Sequence, residues 1–317
     1  MEDKCKMGII RGICISKDRG TQKELISEAN FVADYGIEND AHAGKWHRQV
    51  SLLSYETIEQ FKKKGAKVSP GAFGENLIIE GYNLKNVQVG TRFRIGDVLL
   101  EVTQLGKECH NHCAIYNQVG DCIMPREGIF AIVLEGGLVK IGDEIECIPA
   151  DPERPLTAAV ITLSDKGFRG EREDKSGPLL KEMLVAAGFA VIEQIILPDE
   201  KELLMQNLIR LSDSRQVNLI MTTGGTGFSE RDITPEATMA VMTRNAPGIA
   251  EAIRAGSLQI TKRAMLSRGA SVIRNNTLIV NLPGSPKAVK ESLEFIVDQL
   301  EHGIKILNGR DGECAGH

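Results

Sequence analysis

Val217-Asn-Leu-Ile-Met-Thr-Thr-Gly-Gly-Thr-Gly227 decides the fold of the second half of this chain. The apolar run Val217–Thr222 reads as a strand and breaks into glycine at Gly224; Thr234-Pro235-Glu236 then opens a helix with proline at its first position. The same alternation recurs on both sides. Ala158–Leu163 is a β-branched run, Ser176–Ala187 a helix with Ser176 as candidate N-cap, and Ala190–Leu197 a strand. Asp199 caps a helix to about Ser212, with Glu202 completing a capping-box pattern. Thr277–Asn281 is a strand, and Ser285-Pro286 opens a long last helix reaching about Leu307. Strands alternating with helices predict a three-layer α/β unit with a mostly parallel sheet.

The polar motifs fall at one kind of position. Thr162-Leu-Ser-Asp165, Pro198-Asp199, Thr222-Thr-Gly-Gly225 and Asn281-Leu-Pro-Gly-Ser285 each follow a strand and precede a helix. In a parallel sheet those loops share the carboxyl edge, where helix N-termini face anionic ligands. The glycine cluster suits a phosphate cradle or, equally, a tight turn after a buried strand; it lacks the lysine of a Walker A loop. Asp199 and Asp232 have ordinary readings as a helix cap and a loop former, but together they have the composition of a magnesium site, which uses one or two carboxylates with water and phosphates. The loop 164–177 is long for a strand-to-helix connection, and Arg169, Arg172 and Lys175 in it can meet an anion or form a solvated flap. Candidate ligand-binding residues are therefore Ser164, Asp165, Asp174, Ser176 and Gly177; Thr223, Gly224, Gly225, Thr226 and Gly227; Thr234, Pro235 and Glu236; and Pro283, Gly284 and Ser285.

Residues 1–150 have a different texture. Met7–Ser16, Gln49–Ser54, Asn76–Ile79, Thr91–Ile95, Val98–Thr103 and Ile129–Leu134 are apolar or alternating runs bounded by Gly, Asn or Asp, which predicts a mostly β barrel with one helix at Ser54–Lys64. Three prolines between Cys147 and Pro155 place the boundary at about 150–155, giving units of 1–150 and 151–317. A length of 317 residues suits two cores.

Charge and composition exclude some partners. Residues 1–150 carry net −3 and residues 151–317 net −2, so neither half is a basic block, and aromatics at 4% are too few to stack exposed bases. Nucleic acid is not expected. The Lys62–Lys64 run reads as a solvated helix face. The charged start is followed by no long apolar run, so the expectation is a cytoplasmic protein without a signal peptide or membrane span. Six of seven cysteines lie in the first half, where thiols or metal ligands are expected rather than a disulfide framework.

Seven motifs carry a resemblance. Thr162-Leu-Ser-Asp165, Asp174-Lys-Ser-Gly177, Leu197-Pro-Asp199, Thr222-Thr-Gly-Gly-Thr-Gly227, Arg231-Asp-Ile-Thr-Pro-Glu-Ala237, Ala264-Met-Leu-Ser-Arg268 and Asn281-Leu-Pro-Gly-Ser-Pro286 resemble, in order and spacing, the molybdopterin adenylyltransferase (MogA/MoaB-like) family. The resemblance implies transfer of AMP from magnesium ATP to the terminal phosphate of molybdopterin, with release of pyrophosphate. It assigns Asp199 and Asp232 to the essential acidic pair (Mg2+), Ser267 to substrate binding and the glycine loop to the ligand. It also implies a homo-oligomer, a trimer or hexamer, and contact with other molybdenum cofactor assembly proteins. A non-catalytic molybdopterin carrier is the alternative; it does not require both aspartates.

The first half is similar to the MOSC domain, named for the C-terminal region of molybdenum cofactor sulfurases. The matching stretches are Tyr35-Gly-Ile-Glu-Asn-Asp40 with His42 and Gly44, Gly71-Ala-Phe-Gly-Glu-Asn-Leu77, Val89-Gly-Thr-Arg-Phe-Arg-Ile-Gly-Asp97, and Glu101-Val-Thr-Gln104 leading to Cys109. The resemblance implies sulfur or cofactor handling by Cys109, with pyridoxal phosphate among the ligands in that family's range. Here Cys109 stands in Cys109-His-Asn-His-Cys113, followed by Cys122. That set supports a thiolate activated by neighbouring histidines, a Zn2+ site drawn from Cys109, His110, His112, Cys113 and Cys122, or ordinary loop residues. His42 and His47 are candidates for the same cleft, or structural residues near Trp46.

Overall fold

The computed structural model describes residues 7–106 and 120–309. The chain divides into two compact units, with the division between Asp151 and Pro152.

In the first unit, β1 (Met7–Ile15), β2 (Glu24–Ile26), β3 (Glu28–Val32), β4 (Gly36–Ile37) and β5 (Val50–Ser54) are followed by helix α1 (Tyr55–Lys63). Then come β6 (Leu77–Glu80), β7 (Arg92–Ile95), β8 (Val98–Leu105), α2 (Met124–Glu127), β9 (Ile129–Glu135), β10 (Gly137–Lys140) and β11 (Glu144–Ile148). Seven strands close into a barrel in the order β11-β7-β8-β9-β5-β6-β1, with β1 pairing back to β11. Closure requires one strand to serve several partners. β1 does so along its length: Met7–Ile9 pair β11 and Ile13–Ile15 pair β2, while β6 runs beside Ile9–Ile13 across a bulge between Ile10 and Gly12. Gly8 is obligatory there, because a Cβ would stand 2.7 Å from the Glu80 carbonyl oxygen.

Alternate residues fill the barrel: Ile10, Leu52, Leu77, Ile79, Phe93, Ile95, Leu100 and Val133 are buried in one cluster. A second cluster, including Leu53, Ile58, Phe61, Ile78 and Phe130, lies beneath α1. Ser54 caps that helix, its Oγ accepting the Thr57 N–H at 3.4 Å.

The second unit holds β12 (Thr157–Leu163), α3 (Asp165–Phe168), α4 (Ser176–Ala186), β13 (Ala190–Leu197), α5 (Lys201–Ile209), β14 (Leu219–Thr223), α6 (Thr234–Ala240) and β15 (Arg244–Asn245). It continues with α7 (Pro247–Ile260), β16 (Ser271–Arg274), β17 (Thr277–Leu282), α8 (Pro286–Glu294) and α9 (Val297–Leu307). The sheet order is β13-β12-β14-β17-β16-β15, the first four parallel and the last two antiparallel. Alternation along the strands divides the apolar residues between two cores. Val160, Met221 and Val280 meet Leu180, Leu184 and Val289 on one face; Ile161, Ile220 and Ile279 meet Leu204, Leu208 and Ala237 on the other.

Local expectations change at the last helix and at the helix after Asp199. The single last helix is two, broken at Phe295-Ile296, where the Phe295 ring lies against Gly256 of α7 and would stand 2.7 Å from a Cβ there. The helix after Asp199 begins at Lys201 with Glu200 at the cap and no side-chain capping bond, so Asp199 is not its cap.

Candidate functional site

Register brings the loops together. Leu163 is level with Leu197, Thr162 with Thr223, and Thr223 with Leu282, so four parallel strands end on one line and their loops share one edge. Between β14 and α6 the chain turns through Gly224 (φ 98°) and Gly225 (φ 63°), both left-handed. A Cβ at Gly224 would stand 2.4 Å from the Leu163 carbonyl oxygen, and one at Gly225 2.4 Å from Thr234 Oγ1. The loop is pinned from outside: Thr234 Oγ1 donates to the Gly224 carbonyl at 2.9 Å, and Thr223 Oγ1 to the Pro283 carbonyl at 2.7 Å. Both hydroxyls are thereby spent on loop geometry, and the loop offers a ligand its backbone.

The two aspartates stand beside this loop, one at each of two glycines. Asp199 Oδ1 lies 3.4 Å from where a Gly225 Cβ would be, and Asp232 Oδ2 lies 2.8 Å from a Gly227 Cβ. Asp199 Oδ2 accepts the Asp165 N–H at 3.0 Å, while Asp165 Oδ1 accepts the Asp199 N–H at 3.1 Å. Asp232 Oδ2 accepts the Ser229 N–H at 2.9 Å. Among the described residues, each aspartate thus has one oxygen on a backbone amide and a second, Oδ1, that accepts no hydrogen bond. Burial pushes the Asp199 carboxyl above the ordinary carboxylate range, and the charges of Asp165 and Asp232 add to that rise. The Arg231 guanidinium holds Asp165 below it.

These loops enclose a cavity of about 840 Å³. Ser164, Asp174, Ser176, Asp199, Thr223, Gly224, Gly225, Asp232, Gly284 and Ser285 line it, joined by Arg172, Lys175, Thr162 and Gly167. Asp165 lies beside the lining through its bonds to Asp199. Asp174 works as a cap: Oδ1 accepts the N–H groups of Ser176 and Gly177 at 3.0 Å each, and Oδ2 accepts Thr162 Oγ1 at 2.7 Å. Ser176 is therefore inside α4 rather than its cap, and its Oγ donates to the Gly284 carbonyl at 2.8 Å.

Gly177, Thr226, Gly227, Thr234, Pro235, Ser267 and Pro283 lie outside that lining, and Glu236 lines an outer recess with Phe228, Asp232 and Arg268. Sequence reasoning passed over the organising roles of Arg231 and Arg268. Arg268 donates from Nε to the Gly227 carbonyl at 2.6 Å, pairs with Glu236 and reaches the Asp232 carbonyl at 2.5 Å. Its signal was its place in Ala264-Met-Leu-Ser-Arg268, an arginine with no acidic neighbour in sequence.

In the first unit, Cys109, His110, His112 and Cys113 lie outside the described residues. Cys122 is buried with Ile123 and Met124 in the cluster beneath α1. His47 Nε2 is 2.9 Å from Gln104 Oε1, and the His42 carbonyl accepts Trp46 Nε1 at 2.8 Å. Among the described residues there is no group of three or more His, Cys, Asp or Glu side chains placed to hold a metal, and no helix long and apolar enough to cross a membrane.

The sequence has counterparts among known proteins. A probable molybdopterin binding domain matches residues 159–302, and a MOSC domain matches residues 39–146. The molybdopterin adenylyltransferase of Escherichia coli K12 is 41% identical over 155 residues, covering 47% of this chain and 80% of that protein. Molybdenum cofactor synthesis protein cinnamon of Drosophila melanogaster is 42% identical over 154 residues, which span 48% of this chain but only 26% of the fly protein. The molybdopterin biosynthesis enzyme MoaB of Thermus thermophilus, a solved structure, is 42% identical, covers 49% of this chain and 97% of that one, and has a TM-score of 0.47. Through its second unit the chain belongs to the molybdopterin adenylyltransferase family of nucleotidyltransferases, and it carries a MOSC domain in its first.

Proposed function

We propose that the second unit transfers AMP from magnesium ATP to molybdopterin, giving adenylyl-molybdopterin and pyrophosphate. One observation carries this: Asp199 and Asp232 border the same glycine-lined cavity, each with one oxygen held by a backbone amide and the other without a donor among the described residues. That donor set fits magnesium, which takes one or two carboxylates and completes its shell with water and phosphates. When bound there, magnesium would supply positive charge against the ATP phosphates.

The chain's own residues do the rest. The glycine loop turns backbone towards the phosphates, and Arg172 and Lys175 from the crossover loop line the same cavity with positive charge. An oxygen of the molybdopterin phosphate attacks the α-phosphorus of ATP; the new P–O bond forms as the bond to the β-phosphate bridge oxygen breaks, and pyrophosphate leaves. A phosphate monoester has a second pKa of about 6, so its oxygen is already largely anionic and no side chain need act as a base. Asp199 and Asp232 would accordingly hold the cation rather than take a proton.

The test is pyrophosphate release by purified protein with ATP, magnesium and molybdopterin. Release that requires all three is expected. Tight molybdopterin binding without release would return the site to a carrier role. For the first unit we propose that Cys109 handles sulfur or binds the cofactor, on the strength of the MOSC motifs that surround it. The alternative, zinc at the Cys109–Cys113 stretch, is read directly by metal analysis of the same protein. An ATP-consuming step of cofactor assembly supports a cytoplasmic location, alongside other molybdenum cofactor assembly proteins.

A further inference from the structure

We propose that Arg231 is a positioning residue for this site: by gripping the Asp165 carboxylate it holds Asp199 with one oxygen turned to the glycine loop. The inference rests on the adenylyl-transfer reading and adds to it a residue that lies outside the lining of the cavity. Arg231 Nη2 donates to both Asp165 oxygens at 2.8 Å, and Nε donates to Oδ2 at 3.2 Å. Asp165 in turn is joined to Asp199 by two reciprocal bonds, N–H to Oδ2 at 3.0 Å and Oδ1 to N–H at 3.1 Å. These bonds use Asp199 Oδ2 and leave Oδ1 beside Gly225.

The links connect both carboxylates. Arg231 precedes Asp232 directly in the chain, so Asp199, Asp165, Arg231 and Asp232 are tied in series by hydrogen bonds and one peptide bond. Two carboxylates from loops 33 residues apart in sequence are thereby linked through one chain of contacts beside the same cavity, as a cation held by both would require. Without the guanidinium, Asp165 keeps only its pair of bonds to Asp199, and both side chains gain freedom. Asp232 keeps its own bond to the Ser229 amide.

Arg231 and Asp165 side chains are 59% and 27% exposed, and an exposed ion pair adds little to folding. The effect of cutting it should therefore appear in cation binding and turnover, not in the unfolding midpoint. Residues behind a metal's ligands commonly change affinity or activity by about 10–100-fold when removed. In Arg231→Ala the magnesium concentration for half-maximal turnover should rise by roughly tenfold or more, with a nearly unchanged Tm. Binding of Mn2+ to protein with a non-hydrolysable ATP analogue, read by electron paramagnetic resonance, should weaken in parallel. Arg231→Lys, which keeps one donor and the charge, should recover part of both.

Asp165→Ala and the double variant decide how Arg231 acts. A positioning role predicts that the double variant is no worse than Asp165→Ala, since both cut one chain of contacts. Multiplying losses, with the ATP KM rising in Arg231→Ala at unchanged Mn2+ binding, would overturn the inference in favour of direct phosphate contact. Unaltered magnesium dependence in Arg231→Ala would overturn it outright. Failure of the underlying reading looks different: wild-type protein would then give no pyrophosphate at all.

Discussion

At the residue scale, Asp199 is the informative position. An aspartate just before a helix invites the cap reading, and asparagine caps as well as aspartate does. The structure removes that reading, because the helix starts at Lys201 and the carboxylate turns the other way, to Asp165 and the glycine loop. A half-buried carboxylate with two like charges nearby costs stability when ionised. Its folded pKa is raised, so the stability tied to this group is fully present below the unfolded value and is lost as pH rises through the folded one. At neutral pH without metal, Asp199→Asn should therefore raise Tm, its side-chain oxygen still accepting the Asp165 amide. A Tm drop in differential scanning calorimetry would contradict the assignment. The first unit offers the opposite case in Lys23, whose ammonium is buried against Asp40 at 2.7 Å with both side chains almost fully covered. Burial holds the Lys23 pKa below its ordinary value while the Asp40 contact opposes the shift. Lys23→Met leaves Asp40 with the Ser16 and Asn76 amides and with His42 Nδ1 3.9 Å away, and breaking a buried pair costs about 3–5 kcal/mol. Urea denaturation followed by a probe in the first unit should read that loss. Neither the pair nor its burial was legible in sequence, since residues 23 and 40 meet only through the fold.

At the scale of elements, the parallel strands and the loop edge were legible because each carries a local signal: a β-branched run, then glycine or proline, then a helix start. What was missed lacks such signals or depends on distant partners. Glu24–Ile26, Glu28–Val32 and Gly137–Lys140 are short strands with exposed polar residues, and no apolar run marks them. The β16–β17 hairpin did have a signal, the Asn275-Asn276 turn with Asn275 at φ 51°, which was passed over. The glycine loop allows a test of which element matters for what. Gly224→Ala puts a Cβ 2.4 Å from the Leu163 carbonyl oxygen at a left-handed φ, a strain of about 1–3 kcal/mol, so stability and turnover should fall together. Gly227→Ala puts its Cβ 2.8 Å from Asp232 Oδ2 without a left-handed φ, so turnover should fall with a smaller loss of Tm. Equal losses of Tm in the two variants would undo that distinction.

At the scale of the molecule, the barrel of the first unit was legible in the sequence, but not which strands close it. Closure rests on the β11–β1 pairing, which joins residues more than 130 positions apart and leaves no mark in a local window. Two units with separate cores imply separable chemistry. Cys109→Ser should keep adenylylation while losing any sulfur-linked activity; loss of bound zinc together with Tm would instead identify a structural metal. We also propose that the protein is a symmetric homo-oligomer, a trimer or hexamer. The second unit exposes Leu258, Ile260, Met265 and Leu266 along the end of α7 and the turn after it, and light scattering should exclude a concentration-independent monomer. Transfer of AMP by the second unit with the help of two carboxylates is decided by following ATP labelled at the α-phosphate, with saturating molybdopterin and magnesium, in wild type, Asp199→Asn and Asp232→Asn. Label should pass to molybdopterin in step with pyrophosphate in wild type. In each variant transfer should fall by roughly 10²-fold or more, about 2.7 kcal/mol, while molybdopterin binding is kept. Near wild-type transfer in either variant would refute the two-carboxylate mechanism.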